Sequence, residues 1–218
     1  MSAVNPVNLW SSREHAEDYL RRADSISHRQ EGEAALLEFI PADTRRILDL
    51  GTGDGRLLAL VLQSSADRSH PRLEAVAVDF SPAMLEAVRR RLGADSRVQV
   101  VEHNLDGALP ALGKFDAVIS SFAIHHLSDP RKRSLYGEIY GLINAGGVFL
   151  NLEHVSSPTV RLHEEFLHGI GYTVETEDPS NRLLDVETQL TWLREIGFTD
   201  VDCHWKWREL ALLAGRRD

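Results

Sequence analysis

The apolar positions of this chain change their period near residue 45. Before that point, residues 8–40 carry Leu20, Ile26, Ala34, Leu37 and Phe39 at loose helical intervals among charged residues, with Pro41 closing the segment, and they predict a helical cap. After it, short apolar runs alternate with amphipathic stretches. The runs at 47–50, 73–79, 98–102, 115–121 and 147–153 predict strands, the last introduced by the Ala145-Gly146-Gly147 turn. Between them, 55–64, 81–91 and 131–142 predict helices, the second with Ser81 as N-cap and Pro82 at its first position. Strands that alternate with helices imply a parallel sheet covered on both faces.

Beyond residue 155 the pattern predicts a helix at 159–170, a polar loop or lid at 171–186, a helix at 187–196 ended by Gly197, and closing strands at 201–207 and 210–214. No repeat, low-complexity tract or linker divides the chain. The 218 residues therefore read as one domain, with a cap at 1–41, a core at 45–155, an insertion or lid at 156–186 and a closing helix and strands at 187–218.

Composition narrows the function classes. With 43% hydrophobic and 26% charged residues the chain fits an ordinary globular protein. A net charge of −9 and a pI near 5.6 argue against a nucleic-acid partner, which calls for a basic face. The single cysteine, Cys203, forms no internal disulfide, suits a reducing compartment and reads as a packed strand residue. No charged-then-apolar leader opens the sequence and no apolar run reaches membrane-spanning length, so the expectation is a cytoplasmic protein without a membrane partner. Oligomeric state is not addressed by the sequence.

The segment Ile47-Leu48-Asp49-Leu50-Gly51-Thr52-Gly53-Asp54-Gly55 sets glycines at the turn between the first strand and the first helix of the core, where a ligand can approach bare backbone. In a dinucleotide fingerprint the third glycine would stand at position 56, which is Arg56. Asp49 and Asp54 would repel a diphosphate and tolerate a cationic sulfonium or ammonium. The second strand ends in Asp79, placed where a carboxylate can accept both hydroxyls of a ribose; the alternative is that Asp79 caps the following helix.

Taken with Val78-Asp79-Phe80-Ser81-Pro82-Ala83-Met84-Leu85, Phe115-Asp116-Ala117-Val118-Ile119-Ser120-Ser121 and Asn144-Ala145-Gly146-Gly147, the glycine segment resembles the class I S-adenosylmethionine (SAM)-dependent methyltransferases over residues 45–155. The resemblance implies a three-layer Rossmann-like α/β sandwich, whose seven-stranded, mostly parallel sheet has an antiparallel last strand. It implies SAM as cofactor, with Gly51, Thr52, Gly53 and Gly55 walling the methionine part, Asp49 close by, and Asp79 on the ribose. Phe80 and Met84 would flank the adenine, Asn104 would read its amino group with Leu105 beside it, and Ser120 would border the methyl group together with Ser121 and Phe122. Tyr19 could touch the cofactor and Arg29 could grip its carboxylate through two bonds; the alternative is a surface helix with solvated charges.

Methyl transfer needs an aligned acceptor and, for many acceptors, a base. His125 and His126 follow the fourth strand and His154 ends the fifth, so these three are the candidate catalytic groups, although His-His-Leu segments in the resembling family are often structural. A histidine base of ordinary acidity would lose activity as pH falls through roughly 6 to 7. No metal is expected, because His163 and His168 are five apart and do not share a helical face. The expected partner is a small-molecule methyl acceptor of unspecified identity. Competing readings are a nicotinamide-dependent oxidoreductase on a related fold, a non-catalytic SAM-binding module, and an enzyme using SAM for another transfer.

Overall fold

The computed structural model describes residues 9–23, 26–67 and 73–218. A 3-10 turn, Leu9–Ser11, leads into α1 (Arg13–Arg22) and α2 (Arg29–Phe39). The core then runs β1 (Arg46–Leu50), α3 (Arg56–Asp67), β2 (Glu74–Asp79), α4 (Pro82–Leu92), β3 (Val98–Glu102), β4 (Phe115–Ser121), α5 (Asp129–Leu142) and β5 (Ile143–His154). It closes with α6 (Val160–Gly169), α7 (Val186–Ile196), β6 (Thr199–Trp207) and β7 (Leu210–Arg216). The seven strands form one sheet in the order β3-β2-β1-β4-β5-β7-β6. Every pairing is parallel except those of β7, which runs antiparallel to both β5 and β6. The expected architecture, antiparallel last strand included, is the one observed.

Period-two alternation builds the two faces of the sheet. Ile47, Ala75, Ala77, Ala117 and Ile119 pack with Leu36 of α2, Leu57, Leu58 and Val61 of α3, and Val88 and Leu92 of α4. Leu48, Leu50, Val76, Val78 and Val118 point the other way, onto Leu135, Tyr136 and Ile139 of α5 and Leu190 and Leu193 of α7. Chain order reverses between β1 and β4, whose neighbours are β2 on one side and β5 on the other. At such a switch point the loops beyond the carboxyl ends diverge and open a crevice.

Three expectations need correction. The cap is not one helix: α1 ends at Arg22 and α2 restarts at Arg29 after His28 adopts a left-handed φ of 62°. Asp24 and Ser25, inside that break, lie outside the described residues. The second correction concerns β5, which begins at Ile143 rather than at 147. Its register against β4 shifts between Phe115 and Ala117, so the expected glycine turn is a bulge, with Gly146 at φ 81°. Third, Ser81 occupies the N-cap position of α4 but makes no side-chain cap bond; Asp79 binds the backbone there instead, through Ser81 N at 2.9 Å. Trp205 and Trp207 do share one side of β6, against Phe166 and Leu167 of α6. Cys203 is half-buried on the same strand.

Candidate functional site

Two adjoining cavities open at the carboxyl ends of the strands. The first, about 900 Å³ including its mouth, lies over the turn that follows β1. That turn is held open by three glycines with positive φ, at 66° for Gly51, 57° for Gly53 and 78° for Gly55. They serve different ends. A Cβ on Gly53 would meet nothing nearer than Met84 Sδ at 4.0 Å, so this is bare backbone facing the cavity. A Cβ on Gly51 would fall 2.2 Å from Ala123 Cβ, and one on Gly55 would fall 2.8 Å from Val88 Cγ2. Gly55 does not line the cavity; it lets α3 start against α4, and its expected place in the methionine wall is corrected accordingly.

Asp49 is 1% exposed and its Oδ2 accepts from Thr52 Oγ1 at 2.6 Å. Burial raises its pKa to about 7, and Asp79 and Asp54 push in the same direction. Asp79 accepts from Gly53 N at 2.9 Å, Phe80 N at 2.8 Å and Ser81 N at 2.9 Å, so it holds the glycine turn while still lining the cavity. Burial raises its pKa against those three donors. Phe80, Met84, Asn104 and Leu105 line the same cavity. Asn104 Oδ1 also accepts from Asp106 N at 3.0 Å, an Asx turn that fixes the amide in place.

Ser120 is fully buried, donates to Leu50 O at 2.8 Å and does not line either cavity. It is a satisfied strand residue. Its neighbours Ser121 and Phe122 line the first cavity instead, Phe122 at a left-handed φ of 53°. Ser121 Oγ and His103 Nε2 are buried there without a hydrogen-bond partner. His103, Asp106 and Trp10 were missed by the sequence reading.

Arg29, at the start of α2, is 6% exposed and also lines the first cavity, which excludes the solvated-surface alternative. It donates to Glu33 Oε1 at 2.9 Å, to Tyr19 Oη at 3.0 Å and to Ala23 O at 3.3 Å. Glu33 in turn binds Arg56 Nε at 3.0 Å.

The second cavity, about 670 Å³, shares Trp10, Tyr19, Phe122 and His126 with the first. The adjacent His125 and His126 meet the distant His154 here, with ring centroids 4.0 Å apart for His125–His126 and 5.5 Å for His125–His154. His125 Nδ1 lies 2.6 Å from Oε1 of Glu153, a fully buried β5 residue that the motif reading passed over. Burial raises Glu153 to about 7 and drives His125 well below the usual imidazole range. His126 is lowered to about 3, first by burial and then by His125. Neither ring therefore waits until pH 6 or 7 to become neutral, so the expected acid limit for a base at these positions moves to lower pH.

The loop predicted at 171–186 is free of helix and strand through 185, with Val186 already the first residue of α7, and it borders this cavity. Glu177, Asp178 and Asn181 line it. Ser180 Oγ lies 3.0 Å from His126 Nδ1 and donates to Asp178 Oδ1 at 2.7 Å, while Asp178 Oδ2 lies 3.1 Å from His15 Nε2 of α1. His163 does not meet His168; it sits between Glu209 and Glu177, at 3.1 and 3.0 Å. Glu164, Glu165 and His168 face water, whereas Phe166 and Leu167 line the cavity.

A methyltransferase-domain family model matches residues 48–149. A demethylmenaquinone methyltransferase of Clavibacter sepedonicus is 31% identical over 178 residues, 74% of this chain and 69% of that protein. The chain belongs to the class I SAM-dependent methyltransferases. A carboxy-S-adenosyl-L-methionine synthase of Klebsiella pneumoniae is 28% identical over 177 residues, 73% of this methyltransferase and 69% of that protein. Among solved structures, an O-methyltransferase family protein from Burkholderia thailandensis superposes with a TM-score of 0.73 at 23% identity, covering 96% of this chain. The methyltransferase spans 61% of that structure, which speaks for the shared fold. No helix among the described residues is long and apolar enough to cross a membrane.

Proposed function

We propose that this chain transfers the methyl group of SAM to a small molecule held in the second cavity, with His125 as base and Glu153 orienting it. The observation that carries the reading is the shared wall of Trp10, Tyr19, Phe122 and His126, which sets a glycine-turn cavity beside one containing a buried histidine–carboxylate pair. The names of the relatives differ in chemistry, so the acceptor is not carried over from either of them.

The first cavity fits the cofactor. Bare backbone at Gly53, the buried unpartnered His103 Nε2 and Ser121 Oγ, and carboxylates at Asp49 and Asp79 offer what an adenosine and a cationic amino acid need. Asp79 would take the ribose, Phe80, Met84 and Leu105 the adenine faces, and Asn104 or His103 its edge. Arg29 and Tyr19 would meet the amino-acid carboxylate and Asp49 the ammonium. When bound, SAM supplies a methyl carbon already activated by its sulfonium.

The protein then has to align the acceptor and remove its proton. Glu153 Oε1 accepts from Nδ1–H of His125, which fixes that tautomer and leaves Nε2 as the nitrogen able to take a proton. Phe122 and Tyr19 separate the cavities and exclude water from the line of transfer.

An acceptor screen that detects S-adenosylhomocysteine (SAH) tests this reading. His125→Ala should lower turnover by about 10² to 10⁴-fold, the range of a positioned base, with SAH affinity changed by less than about threefold. Near-normal turnover in that variant would remove His125 from the chemistry.

A further inference from the structure

We infer that the methyl acceptor is an uncharged or cationic aromatic molecule, and that Glu177 and Asp178 turn anionic molecules away from the second cavity. The inference rests on the placement of the acceptor proposed above and names its chemical class.

Aromatic character comes from the walls. Trp10, Tyr19, Phe122, Phe166 and Tyr172 present five rings from four separate parts of the chain, with Ile26, Ile170 and Leu210 between them. A flat molecule buries its faces against such walls, and ring pairs favour offset or edge contacts over what burial alone provides.

The charge argument is more selective. Among the described residues no lysine or arginine lines this cavity, and Arg29, whose guanidinium lies 5.4 Å from the Phe122 ring centroid, is held by Glu33 and lines the first cavity. Arg22 lies outside it, exposed, with its guanidinium 5.1 Å from the Tyr172 ring centroid. Lys132 is buried under the site but bound to Asp129 and to the carbonyl of Arg182. Each nearby histidine that could carry charge already faces a carboxylate. His125 faces Glu153, His154 faces Glu209, His163 faces Glu209 and Glu177, and His15 faces Asp178. His126 is paired with Ser180 and burial keeps its ring neutral. Protonating any of these rings completes a pair and creates no free cation.

An entering carboxylate or phosphate would therefore lose its water with no cation to receive it, beside two lining carboxylates. A hydroxyl, an N–H or an ammonium meets acceptors instead, at Glu177, Asp178 and the Asn181 amide.

The test uses the whole chain saturated with SAH and three probes of one shape: 4-hydroxyphenethylamine, 4-hydroxyphenethyl alcohol and 4-hydroxyphenylacetate, a cation, a neutral molecule and an anion. Saturation-transfer NMR with calorimetry should show the amine and the alcohol binding, and the acetate at least about tenfold weaker, because like charges in contact are strongly unfavourable. The Glu177→Gln/Asp178→Asn double variant should recover acetate binding by a similar factor. SAH affinity, read in the same titrations, should not move, since neither residue lines the first cavity. Acetate binding as tight as the alcohol in the unsubstituted protein, no change in the double variant, or binding of none of the three probes would overturn the inference. Failure of SAH itself to bind would overturn the methyl-transfer reading, a separate result visible before any probe is added.

Discussion

Asp49, under the glycine turn, carries a carboxyl whose state changes near neutral pH. Its carboxyl titrates near 7 because burial outweighs the Thr52 hydroxyl. A cationic ligand favours the carboxylate, so binding should expel a proton from the molecules that hold one. SAM affinity should then be flat above about pH 7 and fall by up to about tenfold per unit below it. Calorimetry in buffers of different ionisation enthalpy measures both the affinity and the released proton, and Asp49→Asn should abolish the slope. Asp79 makes a different prediction, because its carboxylate holds three backbone donors as well as facing the cavity. Asp79→Ala should weaken SAH by about 10 to 100-fold, as charge-assisted hydrogen bonds are worth roughly 1.5 to 3 kcal/mol. It should also lower the denaturant midpoint. An unchanged midpoint would mean the turn holds its shape without that carboxylate. The sequence offered Asp79 as a ribose ligand or a cap of α4; in the structure it lines the first cavity and binds the Phe80 and Ser81 N–H groups just ahead of that helix, whose N-cap is Ser81. Glu153 escaped notice because its partner His125 is 28 positions away, on the neighbouring strand's loop, and no local spacing announces the pair.

The turn between β1 and α3 shows how much an element's sequence can say. Three glycines in alternate positions announced a loop of bare backbone, and strands alternating with helices announced a parallel sheet; the antiparallel last strand was implied by the family resemblance, and the strand order β3-β2-β1-β4-β5-β7-β6 is seen only in the structure. Which glycine serves the ligand was not legible, since that depends on neighbours brought in from α4 and from the segment after β4. Substitution should separate them. Gly51→Ala and Gly55→Ala drive a Cβ into Ala123 and Val88 respectively, at φ values that alanine adopts poorly, and overpacking of this kind typically costs about 1 to 3 kcal/mol. Gly53→Ala has the same backbone strain and an open cavity in front of it. The first two should lower the thermal midpoint most, whereas the third should lose SAH affinity out of proportion to its stability loss. Equal stability losses in all three, with equal affinity losses, would sink the distinction. The break between α1 and α2 had a signal in the sequence at Asp24, Ser25 and Ser27, residue types whose side chains compete for backbone hydrogen bonds. The β5 bulge had none, because glycines after a helix serve a turn and a bulge equally well.

At the scale of the whole molecule, the two cavities depend on one another through the cap. The sheet's two cores draw on α2, α3, α4, α5 and α7, whereas α1 contributes to a small separate cluster of Ala16, Tyr19 and Leu20 with Trp10, Ala83 and Met84. The Arg13–Glu86 ion pair, at 2.6 Å, joins α1 to α4 on the surface and adds little, being exposed. Trp10 sits where this cluster meets both cavities, edge-on to Tyr19 at 5.1 Å and tilted against His126 at 5.2 Å. Its ring therefore completes the wall between the two cavities and packs outside both main cores. Two consequences follow. Filling the first cavity should firm the shared wall, so SAH should raise the affinity of a second-cavity ligand such as 4-hydroxyphenethyl alcohol, and linkage requires the alcohol to raise SAH affinity by the same factor. Trp10→Ala should weaken both ligands by about tenfold, since aromatic contacts are worth about 0.5 to 1.5 kcal/mol each beyond burial, and should erase the coupling. The thermal midpoint of the empty protein should barely move, because the ring packs in the small cluster of Ala16, Ala83 and Met84 and not within either main core. Calorimetric titrations of each ligand with and without the other decide the matter: independent affinities in the unsubstituted protein, or coupling that survives the loss of Trp10, would show that the two cavities are neighbours without a common wall.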